Sequence, residues 1–251
     1  MHRFYCPENN ITDEIHLTEP SSAHHLKDVL RLKAGDSVIV FDGKGNEYVS
    51  EIKLINSKNI ILSVKKKNQF FLAGSLRLTV ACAIPKKAKF DDIVDKLTQL
   101  GVCRIIPLKT TRVIFKQHKS KEISLIKRWE RIAVNACQQS QGAFLPVIEH
   151  ITDFSSFLNN TDGFDLKLMP TLIGQRISLK EIFASGKHKN ILAIIGPEGD
   201  FTPEEVSSAI KSGFLPVSLG NLVLRVETAA VAVASIIKIY YAACAEEHTV
   251  A

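Results

Sequence analysis

Two glycine-bearing loops hold the residues of this chain whose types and spacing could do chemistry. The first follows the apolar run Ile191 to Ile195 as Gly196-Pro197-Glu198-Gly199-Asp200-Phe201 and continues through Thr202-Pro203-Glu204-Glu205. Thr at an N-cap, Pro at the first helical position and Glu three residues after the cap mark a well-made helix start. Glycines on such a strand-to-helix loop let the backbone approach a ligand closely, and they serve equally a tight turn that binds nothing. No Gly-Lys-Ser/Thr follows and no G-x-G-x-x-G is present, so the loop is neither a Walker loop nor a dinucleotide fingerprint. The second loop is Leu219-Gly220-Asn221-Leu222-Val223-Leu224-Arg225-Val226-Glu227-Thr228. Arg225 is its fixed cation. It either pairs with Glu227 or another carboxylate, or it stands beside a ligand pocket where negative charge develops. Glu227, near the start of the following helix, is favoured there by the macrodipole.

Other reactive residues point away from metal and thiol chemistry. The five cysteines, Cys6, Cys82, Cys103, Cys137 and Cys244, form no C-x-x-C pair, and their number is odd. That pattern suits free buried thiols in a reducing cytoplasm better than a disulfide framework or a zinc site. His24 and His25 are adjacent, poor spacing for ligands of one metal, and no H-E-x-x-H occurs. No metal is expected.

The elements that must position the two loops change rhythm along the chain. Up to about residue 70 the pattern is one helical stretch, Ser22 to Arg31, then short strands at Ser37–Phe41, Glu47–Ile55 and Asn59–Val64, with Asp42-Gly43-Lys44-Gly45-Asn46 as a turn. Short strands with such turns read as a small β-barrel. Asn68 to Ser75 reads as a linker, placing one domain at 1–72 and another at 73–251. Beyond it strands alternate with helices: Leu78–Ile84, a helix Phe90–Leu100 closed by Gly101, Arg104–Leu108, a helix Ser124–Ser140, Asp165–Met169, Ile191–Ile195 and a final helix Thr228–Ala245. The alternation implies an α/β fold with a mainly parallel sheet, whose ligands bind at the carboxyl ends of strands. The last helix is apolar nearly all round, which suits burial on several sides and a subunit interface.

Charge divides the chain in the same way. Residues 1–150 hold 24 Lys/Arg against 15 Asp/Glu, a balance of +9, and residues 151–251 hold 8 against 11, a balance of −3. A basic surface of that size fits either a polyanion partner or a solvated face. The most apolar stretch, Val226 to Ala245, is interrupted by Glu227 and Lys238, so no membrane span is expected. The opening MHRFYCPENN has no apolar run and cleavage site, so no secretory signal is expected and the cytoplasm is the expected location.

Five segments in order resemble one family: HHLKDVLRLKAGDSVIVFDGKGNEY, FDDIVDKLTQLGV, RWERIAVNACQQS, IIGPEGDFTPEEV and SLGNLVLRVETA. They are similar to the ribosomal RNA small-subunit methyltransferase E family, 16S rRNA uridine-N3 methyltransferases of the SPOUT superfamily. The resemblance runs over the whole chain. It implies a parallel sheet with a C-terminal deep trefoil knot, a rare exception to unknotted connections, and an N-terminal PUA-like barrel that docks RNA. It implies S-adenosylmethionine as cofactor, 16S rRNA or the small subunit as partner, and a homodimer.

Residue by residue, the resemblance assigns Met169, Pro170, Ile195, Gly196, Pro197, Glu198, Gly199, Leu219, Gly220, Leu222, Leu224 and Thr228 to the cofactor. Arg225 matches the arginine of the family's LR-x-ET segment and is the catalytic residue it implies; Arg31, Lys86 and Arg112 fall at basic positions assigned to RNA. The chain departs from the family pattern at three places. Asp200 stands where a second glycine is common, Leu222 where an arginine is common, and Gln141-Gly142-Ala143 where an arginine often follows ACQQS. For an N3 acceptor, Arg225 would stabilise the uridine anion or a neighbouring phosphate, with Glu198 and Glu227 as candidate general bases and Glu198 serving equally to cap backbone donors. Two other readings share the motifs: a methyltransferase acting on ribose 2′-oxygen, and an RNA-binding assembly factor without catalysis.

Overall fold

The computed structural model describes all residues except 8–10, 18–25, 27–29, 57–58, 71–75, 86–88, 114–118, 185, 187 and 247–251. The chain divides into two units, one made of Met1–Ala73 with Val134–Leu145, the other of Gly74–Ala133 with Pro146–Ala251.

β-Branched runs build the first unit. Its strands are β1 (Arg3–Tyr5), β2 (Glu14–Leu17), β3 (Ser37–Phe41), β4 (Asn46–Ile55) and β5 (Ile60–Gln69), in the order β1-β3-β4-β5-β2. β1 runs parallel to β3, and the other pairings are antiparallel. Alternate residues, Val38 and Val40 on β3 and Ile60 and Leu62 on β5, enter one core with Phe4, Ile15 and Leu17, as a period of two requires. The turn between β3 and β4 is held by buried Asp42, which accepts from the Lys44 and Asn46 amides at 2.7 and 3.0 Å. Gly45 there has φ 103°, and a Cβ on it would meet the Phe144 ring at 2.6 Å.

Two local expectations change here. Asn68 and Gln69 pair with Glu47 and Asn46, so β5 runs through the lysine triplet and into the first two residues of the stretch expected as a linker. The three lysines are exposed, which lets the strand continue without burying charge. The expected helix over Ser22–Arg31 lies mostly outside the described residues. Arg31 itself has φ 56°, a left-handed conformation that no right-handed helix accommodates.

Segment Val134–Leu145 joins this unit through hydrogen bonds. The Gln138 side chain donates to the Arg3 carbonyl at 2.8 Å, and Arg3 donates to the Gly142 carbonyl at 2.7 Å. Gly45 N–H donates to the Ala143 carbonyl and Leu145 N–H to the Gly43 carbonyl.

The second unit is a parallel sheet covered on both faces. Its strands are β6 (Arg77–Ala83), β7 (Arg104–Lys109), β8 (Val147–Ile148), β9 (Thr152–Asp153), β10 (Leu166–Pro170), β11 (Ile177–Ser178), β12 (Asn190–Ile195) and β13 (Leu215–Ser218). They lie in the order β11-β13-β10-β12-β6-β7-β8, with β9 on β7, and every pairing is parallel. Strands buried on both sides need continuous apolar sequence, which β6 and β12 supply. Ile191, Ala193 and Ile195 face a core with the helices α1 (Phe90–Gln99) and α6 (Val226–Glu246) and with Trp129 of α2 (Lys119–Gln139). Leu192 and Ile194 face the opposite core, with α3 (Phe154–Leu158), α5 (Pro203–Lys211) and Phe201. The short helix α4 (Leu179–Ala184) joins the first of these cores. Helix α6 opens two residues earlier than expected, because the Ala229 N–H already donates to the Arg225 carbonyl at 2.8 Å. Arg225 is thereby the residue flanking its first turn. Among the described residues no helix is long and apolar enough to cross a membrane.

Candidate active site

Strands β13, β10 and β12 are neighbours, and beyond their carboxyl ends the second unit opens a cleft of about 580 Å³. Its walls are the loops after the three strands, closed on one side by Val226 and Ala229 of α6. Nine of the residues assigned to the cofactor line it: Pro170, Ile195, Gly196, Pro197, Glu198, Leu219, Gly220, Leu222 and Leu224. The other three do not. Met169 is fully buried in the core that holds Phe154 and Phe201, because alternation along β10 turns it away from the core on the sheet's other face, which Leu168 joins. Gly199 faces the Arg112 side chain, and Thr228 is exposed on the first turn of α6.

The lining also includes Asp200 and Val223 from the two loops, and Thr171, Leu172, Arg176 and Val217, which the motifs did not single out. The strand-end rule was the signal available for Thr171 and Leu172, since both follow β10 directly.

Arg225 is exposed and sits between two lining residues, Leu224 and Val226. Among the described residues its guanidinium has no hydrogen-bond acceptor or ion-pair partner. The carboxylate the sequence offers it is engaged elsewhere, since Glu227 pairs with Lys89 at 3.1 Å. The Glu227 carboxyl is held below the usual range first by its own backbone N–H at the open end of α6, then by Lys89 and by the Arg225 charge, against the raising effect of burial. Cys82, fully buried near the end of β6, has its thiol pushed far up by burial and by Glu227 and Glu198, which disfavours the thiolate.

The loop after β12 is tied down where it enters α5. Its helix start carries the capping box: Glu205 N–H donates to the Thr202 hydroxyl at 3.2 Å, and Thr202 N–H donates to Glu205 Oε2 at 2.9 Å. Glu205 Oε1 accepts from Thr111 N–H and hydroxyl at 2.8 and 3.0 Å, fastening the loop after β7 to α5. Arg112, on that loop, donates to the carbonyls of Gly199 and Asp200 and remains exposed. Of the other two basic positions assigned to RNA, Arg31 is exposed in the first unit and Lys86 lies outside the described residues.

Residues 73–238 match the RNA methyltransferase domain family, and residues 17–65 match the RNA methyltransferase PUA domain. The chain is 33% identical over 230 residues to the ribosomal RNA small subunit methyltransferase E of Synechocystis, a match covering 89% of this chain and 72% of that protein. The chain belongs to the ribosomal RNA small subunit methyltransferase E family. A solved member of the family from Neisseria gonorrhoeae, bound to S-adenosylmethionine, is similar at 25% identity and a TM-score of 0.81, covering 95% of this chain and 97% of that one. A Legionella pneumophila structure, also with that cofactor bound, is similar at 28% identity and a TM-score of 0.84, covering 94% and 96%. Family membership therefore rests on both units, and the cleft described above lies within the methyltransferase segment.

Proposed function

We propose that the chain transfers a methyl group from S-adenosylmethionine to N3 of a specific uridine in small-subunit (16S) ribosomal RNA, acting on the assembled subunit in the cytoplasm. The observation that carries this reading is the single cleft in which loops from β10, β12 and β13 converge, lined by nine of the twelve residues assigned to the cofactor. The lining fits that group chemically. Pro170, Val217, Leu219, Leu224 and Ala229 offer apolar wall for an adenosine, Gly196 and Gly220 offer backbone, and Glu198 offers negative charge for a sulfonium. When bound, S-adenosylmethionine supplies an electrophilic methyl group.

The chain's own residues supply position and charge. Uracil N3 is a poor nucleophile until its proton leaves, so a fixed cation at the mouth of the cleft favours the anion. Supporting that role, Arg225 is exposed between two lining residues and forms no ion pair among the described residues, although its charge acts on Glu227. Of the two candidate carboxylates, Glu227 is the poorer proton acceptor, since its carboxyl is held low by its own N–H, by Lys89 and by Arg225. Glu198 lines the cleft and is the better placed.

The same reading includes an RNA-docking role for the first unit as a PUA-like barrel, with Arg31, Lys86 and Arg112 touching RNA, and a trefoil knot in the second. β13 follows β12 in the chain yet lies on the far side of β10, which supports a chain crossing near the cleft. It also includes a homodimer. Leu222 and Val223 beside the cleft and Ile236 and Ile239 on α6 are exposed apolar side chains, a surface that suits a second copy.

The test is to incubate the protein with S-adenosylmethionine and small subunits from a strain lacking the homologous enzyme, then to read rRNA nucleosides by mass spectrometry. New 3-methyluridine is the expected product. A 2′-O-methylated nucleoside would reject the acceptor, and cofactor binding with no methylation of subunits or free rRNA would reject the substrate. Absence of both binding and methylation would favour the non-catalytic factor.

A further inference from the structure

Asp200 occupies a position where glycine would be the easier residue. Its φ is 60°, the left-handed region that disfavours a side chain with a Cβ. Its carboxylate accounts for the conformation. Oδ1 accepts from the Phe201 N–H at 2.8 Å. Oδ2 crosses to the loop after β10, accepting from the Thr171 hydroxyl at 2.9 Å and from the Leu172 N–H at 2.7 Å. Thr171 is itself buried, and its hydroxyl oxygen accepts from the Ile173 N–H at 3.1 Å. From outside, Arg112 donates to the Asp200 carbonyl at 3.3 Å.

The register explains why such a tie matters. The β10–β12 ladder ends at Leu168 opposite Ala193, so the two cleft walls that follow have no strand pairing between them. One side chain spans that gap through charge-assisted hydrogen bonds, and Thr171, Leu172 and Asp200 all line the cleft.

We propose that Asp200 is a positioning residue for the cofactor: its carboxylate fixes the spacing of the loops after β10 and β12 and so sets the affinity for S-adenosylmethionine. This rests on the reading of the cleft as the cofactor site. The residue acts through the Thr171 and Leu172 walls. A wall already held in its binding geometry loses less freedom when the ligand arrives.

The experiment is calorimetric titration of the full chain with S-adenosylmethionine, for wild type, Asp200→Gly, Asp200→Asn, Thr171→Val and the Asp200→Gly/Thr171→Val pair, beside melting curves without cofactor. Asp200→Gly relieves the left-handed backbone while removing the tie. Its Kd, and KM for the cofactor on small subunits, should rise about tenfold, with a smaller change in kcat and a melting temperature close to wild type. Asp200→Asn keeps one acceptor oxygen and should fall between the two. Thr171→Val should weaken binding in the wild type and add little to Asp200→Gly, because both remove the same tie. An Asp200→Gly Kd within about twofold of wild type, a lowered melting temperature with unchanged Kd, or fully additive losses would each overturn the proposal. A wild type that fails to bind the cofactor would overturn the reading of the cleft itself, a result distinct from binding that is insensitive to Asp200.

Discussion

Glu205 reaches Thr111, 94 positions away in the chain, with the same carboxylate that closes its own helix cap. One oxygen accepts from both the Thr111 N–H and hydroxyl, the other from the Thr202 N–H, and the side chain is buried. Replacing it by alanine removes the acceptor of two backbone N–H groups, those of Thr111 and Thr202, and of the Thr111 hydroxyl. We expect Glu205→Ala to cost about 2 kcal/mol of stability, and Glu205→Gln, which keeps one acceptor, to cost less. Urea unfolding monitored at Trp129, which lies in the same unit, measures both.

The exposed Arg225 gives a separable outcome. Because it lies outside the cleft lining, its loss should leave cofactor affinity within about threefold of wild type while turnover falls by a factor of about a hundred or more, the scale of removing one preorganised charge donor. Arg225→Lys restores the charge but not the planar fork, and partial recovery is expected. Single-turnover methylation of small subunits at saturating cofactor checks this. Wild-type turnover in Arg225→Ala with normal binding would remove the residue from the reaction.

Acid should loosen the start of α6. Glu227 has its carboxyl held low in the folded chain by its own backbone N–H and by Lys89. A depressed folded value means the stabilisation is complete above the unfolded carboxylate range and is lost as pH falls through the lower folded value. Melting temperature should therefore fall on acidification below about pH 5, and Lys89→Met should flatten part of that fall. The remainder persists because the backbone N–H and the Arg225 charge are still present. Lys89 and Glu227 are partly exposed, so added salt should shrink the difference between the two proteins.

Legibility in the sequence followed the range of the interaction. The capping box of Thr202 and Glu205 spans three residues and is readable from residue types alone. The buried strands β6 and β12 are readable as well, because parallel strands covered on both faces must be apolar throughout. Asp200 is different: as a departure from a glycine pattern it looks like a loss, and its partner Thr171 lies 29 residues away in a loop that no local signal singles out. Met169 and Pro170 show the finer limit, since neighbouring strand residues point to opposite faces and only the register decides which one meets the cleft. The strand β5 ran past its expected end because exposed lysines are compatible with an outward-facing stretch, whereas charge runs read locally as breaks.

The first unit hides its own non-local pair. Arg3 and Glu47 meet at 2.5 Å with side chains 7% and 8% exposed, and Arg3 also donates to the Gly142 carbonyl, within the segment where the chain departs from its family. Removing one member of a buried pair strands the other charge, and Arg3→Ala or Glu47→Ala should each cost about 3–5 kcal/mol. Replacing both by methionine should cost much less, because no charge is then left buried. Hydrogen exchange localises the effect: protection of the β3 and β4 amides should drop in either single variant and recover in the double. If the two single losses simply added in the double, the pair would be contributing packing rather than charge, and the link from β1 to segment Val134–Leu145 would have to rest on Gln138 instead.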